Sequence, residues 1–219
     1  ASMKILGIIP FLFCAALALT APIQAQISSG GTPVSFDKLS LSAMATVRTD
    51  SVDVEAYLAE DKIERAEGLP FRFGAPFDVN YNIYNSGTWD ELADGGRIWR
   101  LKIESPGAFS VNLLYEHFFM PPGARMFVYS ADRGMVLGAF TERNNKDHGR
   151  FSTAPVKGDA CVVEYYEPSE VRGQGVVAIS RIVHGYRDIF NFGGTKGTDG
   201  FGSSGFCNNN INCPEGEPW

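Results

Sequence analysis

The sequence predicts a mainly β protein, an antiparallel β-sandwich or jelly-roll-like fold with one short helix near its N-terminus. Between residues 69 and 188 the chain consists of short runs rich in aromatic and β-branched residues, which favour strands. Turns rich in glycine, proline, asparagine and aspartate separate these runs. Residues 53–68 instead place apolar side chains at helical spacing. Regular short strands joined by such turns are typical of sandwiches and jelly rolls.

Composition sets the broad class of the protein. The chain has 219 residues, of which 44% are hydrophobic and 20% charged. This composition is that of a globular protein, and the length allows one or two domains. The net charge of −6 argues against a nucleic-acid partner, because proteins that bind a phosphate backbone are normally basic.

The N-terminus has the pattern of a secretory signal peptide over residues 1–25. Lys4 precedes an apolar run, and small residues then lead to a cleavage site between Ala25 and Gln26. The alternative is a membrane anchor, but the run is shorter than the roughly 20 residues that a span needs, and Pro10 interrupts it. We therefore expect no stable membrane anchor. The mature protein is expected to be secreted, periplasmic or extracellular, where disulfides can form.

Residues 26–68 are interpreted as a leader that contains one short helix. Serine, threonine and glycine dominate residues 26–52 without a sustained period, so this part is expected to be extended or poorly ordered. Asp53 can cap the start of the helix and Gly68 can end it. One helical face carries Val54, Tyr57 and Leu58. The helix also carries carboxylates that we interpret as a solvated face, namely Glu55, Glu60, Asp61, Glu64 and Glu67.

Residues 69–188 are predicted to form the sandwich itself. The strand-like runs are FRFGAPFDVNYNIY, GRIWRLKIES, AFSVNLLYEHFF, ARMFVYSA, MVLGAF, ACVVEYYE and VVAISRIVHGY. The stretch NSGTWDELADGG is read as one of the turns between them, with Trp89 at the start of a strand. The candidate core residues are Ile98, Trp99, Leu101, Ile103, Phe127, Val128, Tyr129, Val162 and Val163.

Residues 189–206 are rich in glycine and predict a flexible linker. The sequence GFGSSG at residues 200–205 matches G-x-G-x-x-G, but a dinucleotide site also needs a preceding strand and a following helix. Neither is predicted here, so the linker interpretation is preferred.

The four cysteines fall into three groups. Cys14 lies in the signal peptide, and Cys161 lies in an apolar strand-like run, where a buried free thiol is expected. Cys207 and Cys213 lie in a polar, turn-rich segment. From spacing alone they either pair with each other or await other partners, and no zinc-ligand pattern accompanies them.

The sequence contains no recognisable catalytic centre. Its histidines, His117, His148 and His184, are far apart in the chain, and each is interpreted as structural. No His, Cys, Asp or Glu spacing indicates a metal site, and no motif indicates a cofactor. We therefore expect no catalytic activity, metal or cofactor in these residues.

The segment CNNNINCPEGEPW, residues 207–219, resembles the start of the mature domain in lysyl-endopeptidase-like serine proteases, which commonly open with C-N-x-x-x-x-C-P-E-G. Upstream, WRLKIESPGAFSVNLLYEHFFMPPGARMFVY, FSTAPVKGDACVVEYYEP and RIVHGYR are similar to the prodomain of the same precursors. The resemblance covers residues 53–219. It implies a trypsin-like double β-barrel further downstream, with a Ser–His–Asp triad and a preference for lysine.

On this resemblance the chain is expected to be a prodomain followed by the truncated start of a protease domain. Cys207 and Cys213 would each pair with a cysteine further along that domain. The partner of the prodomain would be its own downstream protease domain, for which it would act as folding partner and temporary inhibitor. The expected maturation bond is Lys196–Gly197, because Lys196 is the only lysine after Lys157.

The alternative is a secreted β-sandwich binding module for glycan or protein. In that case Tyr81, Tyr84 and Trp89 are the aromatic side chains expected at its surface.

Overall fold

The computed structural model describes residues 27–38 and 40–191, and it confirms a mainly β, sandwich-like fold with a single α-helix. The eleven strands found there are β1 (Ala45–Arg48), β2 (Gly74–Asn82), β3 (Thr88–Glu91), β4 (Arg97–Glu104), β5 (Ser110–Phe119), β6 (Arg125–Ser130), β7 (Val136–Phe140), β8 (Phe151–Ser152), β9 (Val156–Lys157), β10 (Ala160–Glu167) and β11 (Val176–Gly185). The helical elements are α1 (Val54–Ala66) and three short 3-10 helices at Val34–Asp37, Glu142–Asn144 and Ser169–Val171.

The strands form two sheets. The first sheet has the order β1-β4-β10-β6-β7, and β3 pairs with the part of β4 that β1 leaves free. The second sheet has the order β2-β11-β5-β8, with β9 also paired to β5. Only the β1–β4 pair is parallel among the described pairs, so the predicted antiparallel topology is confirmed.

All seven predicted strand runs contain a strand, but two segments predicted as turns also contain one: PVKGD contains β9, and NSGTWDELADGG contains β3. The stretch interpreted as a turn between residues 85 and 96 contains β3, which pairs antiparallel with β4 so that Trp89 lies opposite Trp99. The four residues of β3 lie among glycine and aspartate residues, and a run this short shows too little alternation of apolar and polar residues to be recognised as a strand. Pairing with β4 and the packing of Trp89 on the core make this segment a strand.

The main core lies between the two sheets. Trp99, Leu101 and Ile103 alternate along β4 and meet inward-facing residues of the second sheet, including Leu113 and Ile179. This alternation is the period of two that a half-buried strand requires. All nine candidate core residues are buried, which confirms them: Ile98, Trp99, Leu101, Ile103, Phe127, Val128, Tyr129, Val162 and Val163.

The outer face of the first sheet is covered by the segment that was expected to be a separate leader. A second buried cluster there includes Tyr129 and Val162, and Phe36 and Met44 pack against it. Upstream, the Ser29 amide donates to the carbonyl of Ala139 in β7 at 3.0 Å. Residues 27–38 and 40–52, which belong to the segment interpreted as a leader, therefore pack on the sandwich.

The N-terminal segment joins the sandwich through contacts with residues that are distant in sequence. Strand β1 hydrogen-bonds along β4, more than 50 residues away, from Ala45 opposite Leu101 to Arg48 opposite Glu104. Phe36 meets Tyr129 edge-on, with 4.9 Å between the ring centroids. Local composition does not report on such partners.

Helix α1 begins and ends where the sequence predicts. The Asp53 side chain accepts a hydrogen bond from the amide of Ala56 at 3.0 Å, which makes it the N-cap. At the other end Gly68 has φ +76°, and the Leu69 amide donates to the carbonyl of Glu64 at 2.9 Å. These features form a Schellman motif, which favours glycine because its central residue has positive φ.

Candidate interaction surface

The end of the last strand is fixed to α1 by a buried carboxylate. The side chain of Asp61 is only 8% exposed and accepts hydrogen bonds from three donors. Arg72 Nε lies 3.0 Å from Oδ1, the Tyr186 hydroxyl 2.9 Å from Oδ2, and Arg187 Nη2 2.6 Å from Oδ2. The ring of Tyr186 also stacks on Tyr57, with 5.3 Å between centroids. These contacts anchor the chain immediately after β11.

The ionised form of Asp61 is stabilised despite its burial. Burial disfavours the charged carboxylate, but the hydrogen bonds from Arg187, Tyr186 and Arg72 outweigh it and hold the pKa of Asp61 below its ordinary value. The interpretation of Asp61 as part of a solvated helix face was therefore wrong. It lies seven residues after Val54, on the same partly buried helical face, and that spacing was the available signal.

Arg187 is held in place as a result. Its guanidinium contacts Asp61 and lies 5.3 Å from the ring centroid of Phe71, and its amide donates to the carbonyl of Phe73 at 3.3 Å. A protease needs several extended residues on each side of the bond that it cuts, so an anchored Arg187 is a poor substrate.

Four large apolar side chains are exposed in the chain segments that flank the residues in contact with Asp61. Ile63 lies in the last turn of α1, Leu69 lies three residues after that helix, and Phe190 follows Arg187. We call Ile63, Leu69, Phe71 and Phe190 the exit patch. Their exposed fractions are 63%, 51%, 61% and 39%, respectively. Exposed apolar side chains of this size are candidates for contact with a partner when they form a contiguous patch.

A second candidate surface is an open groove of about 830 Å³ on the second sheet. Its lining carries both signs of charge, and within it Arg181 Nε donates to Asp78 at 2.6 Å. His148 Nδ1, also in the lining, accepts from the amide of Arg150 at 3.0 Å. Mixed charges and an open shape suit a polar or extended partner better than a small apolar ligand.

The histidines are not arranged as a catalytic centre in the described residues. His117 and His148 are exposed, whereas His184 is 1% exposed. The Ser105 hydroxyl and His184 Nδ1 lie 2.9 Å apart, and Ser105 is in turn 2.9 Å from the Thr49 hydroxyl. Burial lowers the pKa of His184, so its neutral form is favoured. The other ring nitrogen of His184, Nε2, is buried and has no hydrogen-bond partner in the described residues.

The aromatic residues proposed for the binding-module alternative differ in exposure. Tyr84 is 76% exposed and is available for stacking. Tyr81 and Trp89 are partly buried and pack against the main core. The Trp89 indole also donates to the carbonyl of Ile83 at 3.0 Å, and the Arg97 guanidinium lies 3.9 Å above its ring. Only Tyr84 of the three therefore presents a free face.

The remaining sequence-predicted sites lie outside the described residues, namely Ala25, Gln26, Lys196, Gly197, Cys207 and Cys213. Cys161 lies within them and is a buried free thiol, as predicted.

Comparison with protein-family models finds none that matches this chain. Within residues 27–38 and 40–191, no helix is both long and apolar enough to cross a membrane. The same residues contain no cluster of three or more His, Cys, Asp or Glu side chains that could hold a metal ion.

Proposed function

We propose that this chain is the N-terminal pro-region of a secreted lysine-specific serine endopeptidase precursor, and that it acts as folding partner and temporary inhibitor of the downstream protease domain. The cysteine-containing segment at residues 207–219 and the order of segments support this proposal. A β-sandwich followed by a glycine-rich stretch and then a protease-like motif is the arrangement that a cleavable precursor needs.

The observation that carries the proposal is the anchored end of the sandwich. The described strands and the Asp61 contacts lie upstream of Lys196. Cleavage of the Lys196–Gly197 bond would therefore leave every strand covalently continuous. Cleavage after Arg187 would instead disturb the ion pair with Asp61. A cut that separates two units without opening either one is what maturation of a precursor requires.

The exit patch gives the downstream domain a place to dock. A domain tethered just beyond Phe190 experiences an effective concentration in the millimolar range when the linker is short and flexible. Contacts with the exposed side chains of Ile63 and Leu69 would then stabilise the folded protease domain, since a partner that binds only the native state shifts the folding equilibrium toward it.

The maturation bond provides the test. In a precursor that includes the downstream region, Lys196→Gln is expected to slow release of the mature domain strongly, as followed by gel electrophoresis and N-terminal sequencing. The matched control is Lys157→Gln, which alters an exposed lysine on β9. Arg187→Gln is expected to leave the cleavage position unchanged. Normal maturation of the Lys196→Gln precursor with the same N-terminus would contradict the proposed bond.

A secreted binding module for glycan or protein is the second candidate, and the open groove on the second sheet favours it. Its test is direct binding of glycans or peptides to the wild-type chain and to Tyr84→Ala and Arg150→Ala. Binding that depends on the groove residue Arg150 would favour this alternative.

A further inference from the structure

The leader leaves a small cavity between itself and the first sheet. Residues 33–38 and 40–44, which we call the strap, cross the outer face of that sheet and enclose about 260 Å³. The cavity, called the strap pocket here, is lined by Ser35, Lys38, Leu41, Met44, Arg100, Tyr129, Ala131, Arg133 and Val162. It lies on the opposite sheet from the open groove.

The charged side chains that line the strap pocket are all cationic. Lys38, Arg100 and Arg133 contribute three cations, and none of the described lining residues carries a carboxylate. They come from the strap, from β4 and from the turn between β6 and β7, so the cations converge from three separate elements. The Arg133 guanidinium lies 4.6 Å from the ring centroid of Phe36, which positions its charge beside the strap.

Arg100 has a donor to spare. Its side chain is 9% exposed, and Nη2 donates to Asp90 at 2.6 Å and to the carbonyl of Ser42 at 2.8 Å. Its Nε is buried and has no hydrogen-bond partner in the described part of the chain. A buried N–H without an acceptor is destabilising, and the charge of Arg100 is already paired with Asp90.

The ligand must tolerate a neighbouring buried carboxylate. Glu164 lies opposite Arg100 in the backbone register of β10 and β4 and is 0% exposed. It accepts hydrogen bonds from the Ser35 amide and from the Tyr129 hydroxyl, both at 3.2 Å. This carboxyl group lies close to the pocket, so the pocket suits a monoanion better than a dianion such as phosphate.

The rest of the lining is apolar. Leu41, Met44 and Val162 offer a surface for a short hydrocarbon chain. We propose that the strap pocket binds a small free aliphatic monocarboxylate, with its carboxylate among the three cations and its alkyl chain against the apolar side chains. The small volume of the cavity excludes a folded protein partner.

The test is a titration of the full chain with hexanoate, in which binding is measured by isothermal titration calorimetry. Hexanoate is expected to bind saturably at one site. 1-Hexanol lacks the charge and inorganic phosphate lacks the hydrocarbon, so each is expected to bind at least tenfold more weakly. The Lys38→Gln/Arg133→Gln double variant is expected to weaken hexanoate binding by roughly tenfold. Lys157→Gln, a lysine on β9 outside the pocket, is the matched control and is expected to bind as the wild type does.

Amide chemical shifts of the wild-type chain locate the site independently of any variant. Hexanoate is expected to shift the amide signals of Ser35, Met44 and Arg133. Equal binding of hexanoate and 1-hexanol would overturn the proposal, as would unchanged affinity in a folded double variant. Chemical-shift changes confined to residues of the open groove on the second sheet would also overturn the proposal. Because the chemical shifts are measured on the wild-type chain, this test remains decisive even if the double variant does not fold.

Discussion

The Asp61→Asn substitution tests whether the buried carboxylate holds the end of the sandwich. Asp61 accepts hydrogen bonds from three residues, Arg72, Tyr186 and Arg187, while its own side chain is 8% exposed. Breaking a fully buried ion pair typically costs about 3–5 kcal/mol. The side chains of Arg72 and Arg187 are 26% and 27% exposed, so water recovers part of that loss. We expect a loss of about 2–3 kcal/mol in the free energy of unfolding.

The assay is urea and thermal unfolding of wild type and variant at neutral pH, with a midpoint lowered by roughly 5–10 °C in Asp61→Asn. Glu60→Gln is the matched control. Glu60 contacts the same Arg72 at 3.0 Å but its side chain is 61% exposed, so less than about 1 kcal/mol is expected. Equal effects of the two substitutions would refute the assignment of Asp61 as the anchor.

The pH dependence of the same variant gives an independent check. The pKa of Asp61 is lower in the folded protein than in the unfolded chain, so its stabilisation is present above the unfolded value of about 3.9. It is lost as the pH falls from there through the folded pKa. Wild type should therefore lose more stability than Asp61→Asn on acidification below about pH 4. Trypsin should also cut after Arg187 faster in the variant, since the ion pair at 2.6 Å is weakened.

Three further predictions concern buried residues. Burial lowers the pKa of His184 in the folded protein, so the stability that its neutral form contributes is complete above about pH 6.5 and falls on acidification. The free energy of unfolding should therefore drop more between pH 8 and pH 5 in the wild type than in His184→Gln. An equal pH dependence of the two proteins would argue against this. Burial raises the pKa of the Cys161 thiol to about 12, so iodoacetamide should label it only under denaturing conditions, as mapped by peptide mass spectrometry; rapid labelling of the native protein would contradict its burial. Gly87 has φ +76° and an added Cβ would lie 2.2 Å from the indole nitrogen of Trp99, so Gly87→Ala should cost about 3 kcal/mol or more in unfolding free energy. Gly107→Ala, at φ +81° with no atom within 4 Å, should cost only about 1 kcal/mol, and similar losses in both would refute the steric explanation.

The strands and the main core could be predicted because their signals are local. Trp99, Leu101 and Ile103 alternate within one run, and the turns on both sides are rich in glycine and proline. Helix α1 was predictable for the same reason, since Asp53 and Gly68 lie at its ends and act there as caps.

The features that were missed depend on partners far away in the chain. Residues 45–48 show no clear strand pattern in their own sequence, and they form a strand by pairing with β4. Asp61 is one carboxylate among several on α1, and only the arrival of Arg187, 126 positions later, makes it the buried anchor. The strap pocket likewise requires Lys38, Arg100 and Arg133 to meet in space, which no local pattern indicates.

The central claim is that the sandwich assists the folding of a protease domain that follows it. The most direct measurement is the yield of lysyl-peptide-cleaving activity when the denatured downstream domain is refolded with and without the sandwich, residues 27–191, added as a separate chain. We expect a large increase in yield with the wild-type sandwich. A smaller increase is expected with the double variant Ile63→Ser/Leu69→Ser, because it removes two exit-patch side chains that are 63% and 51% exposed in the wild type. A yield that does not change on addition of the wild-type sandwich would contradict it.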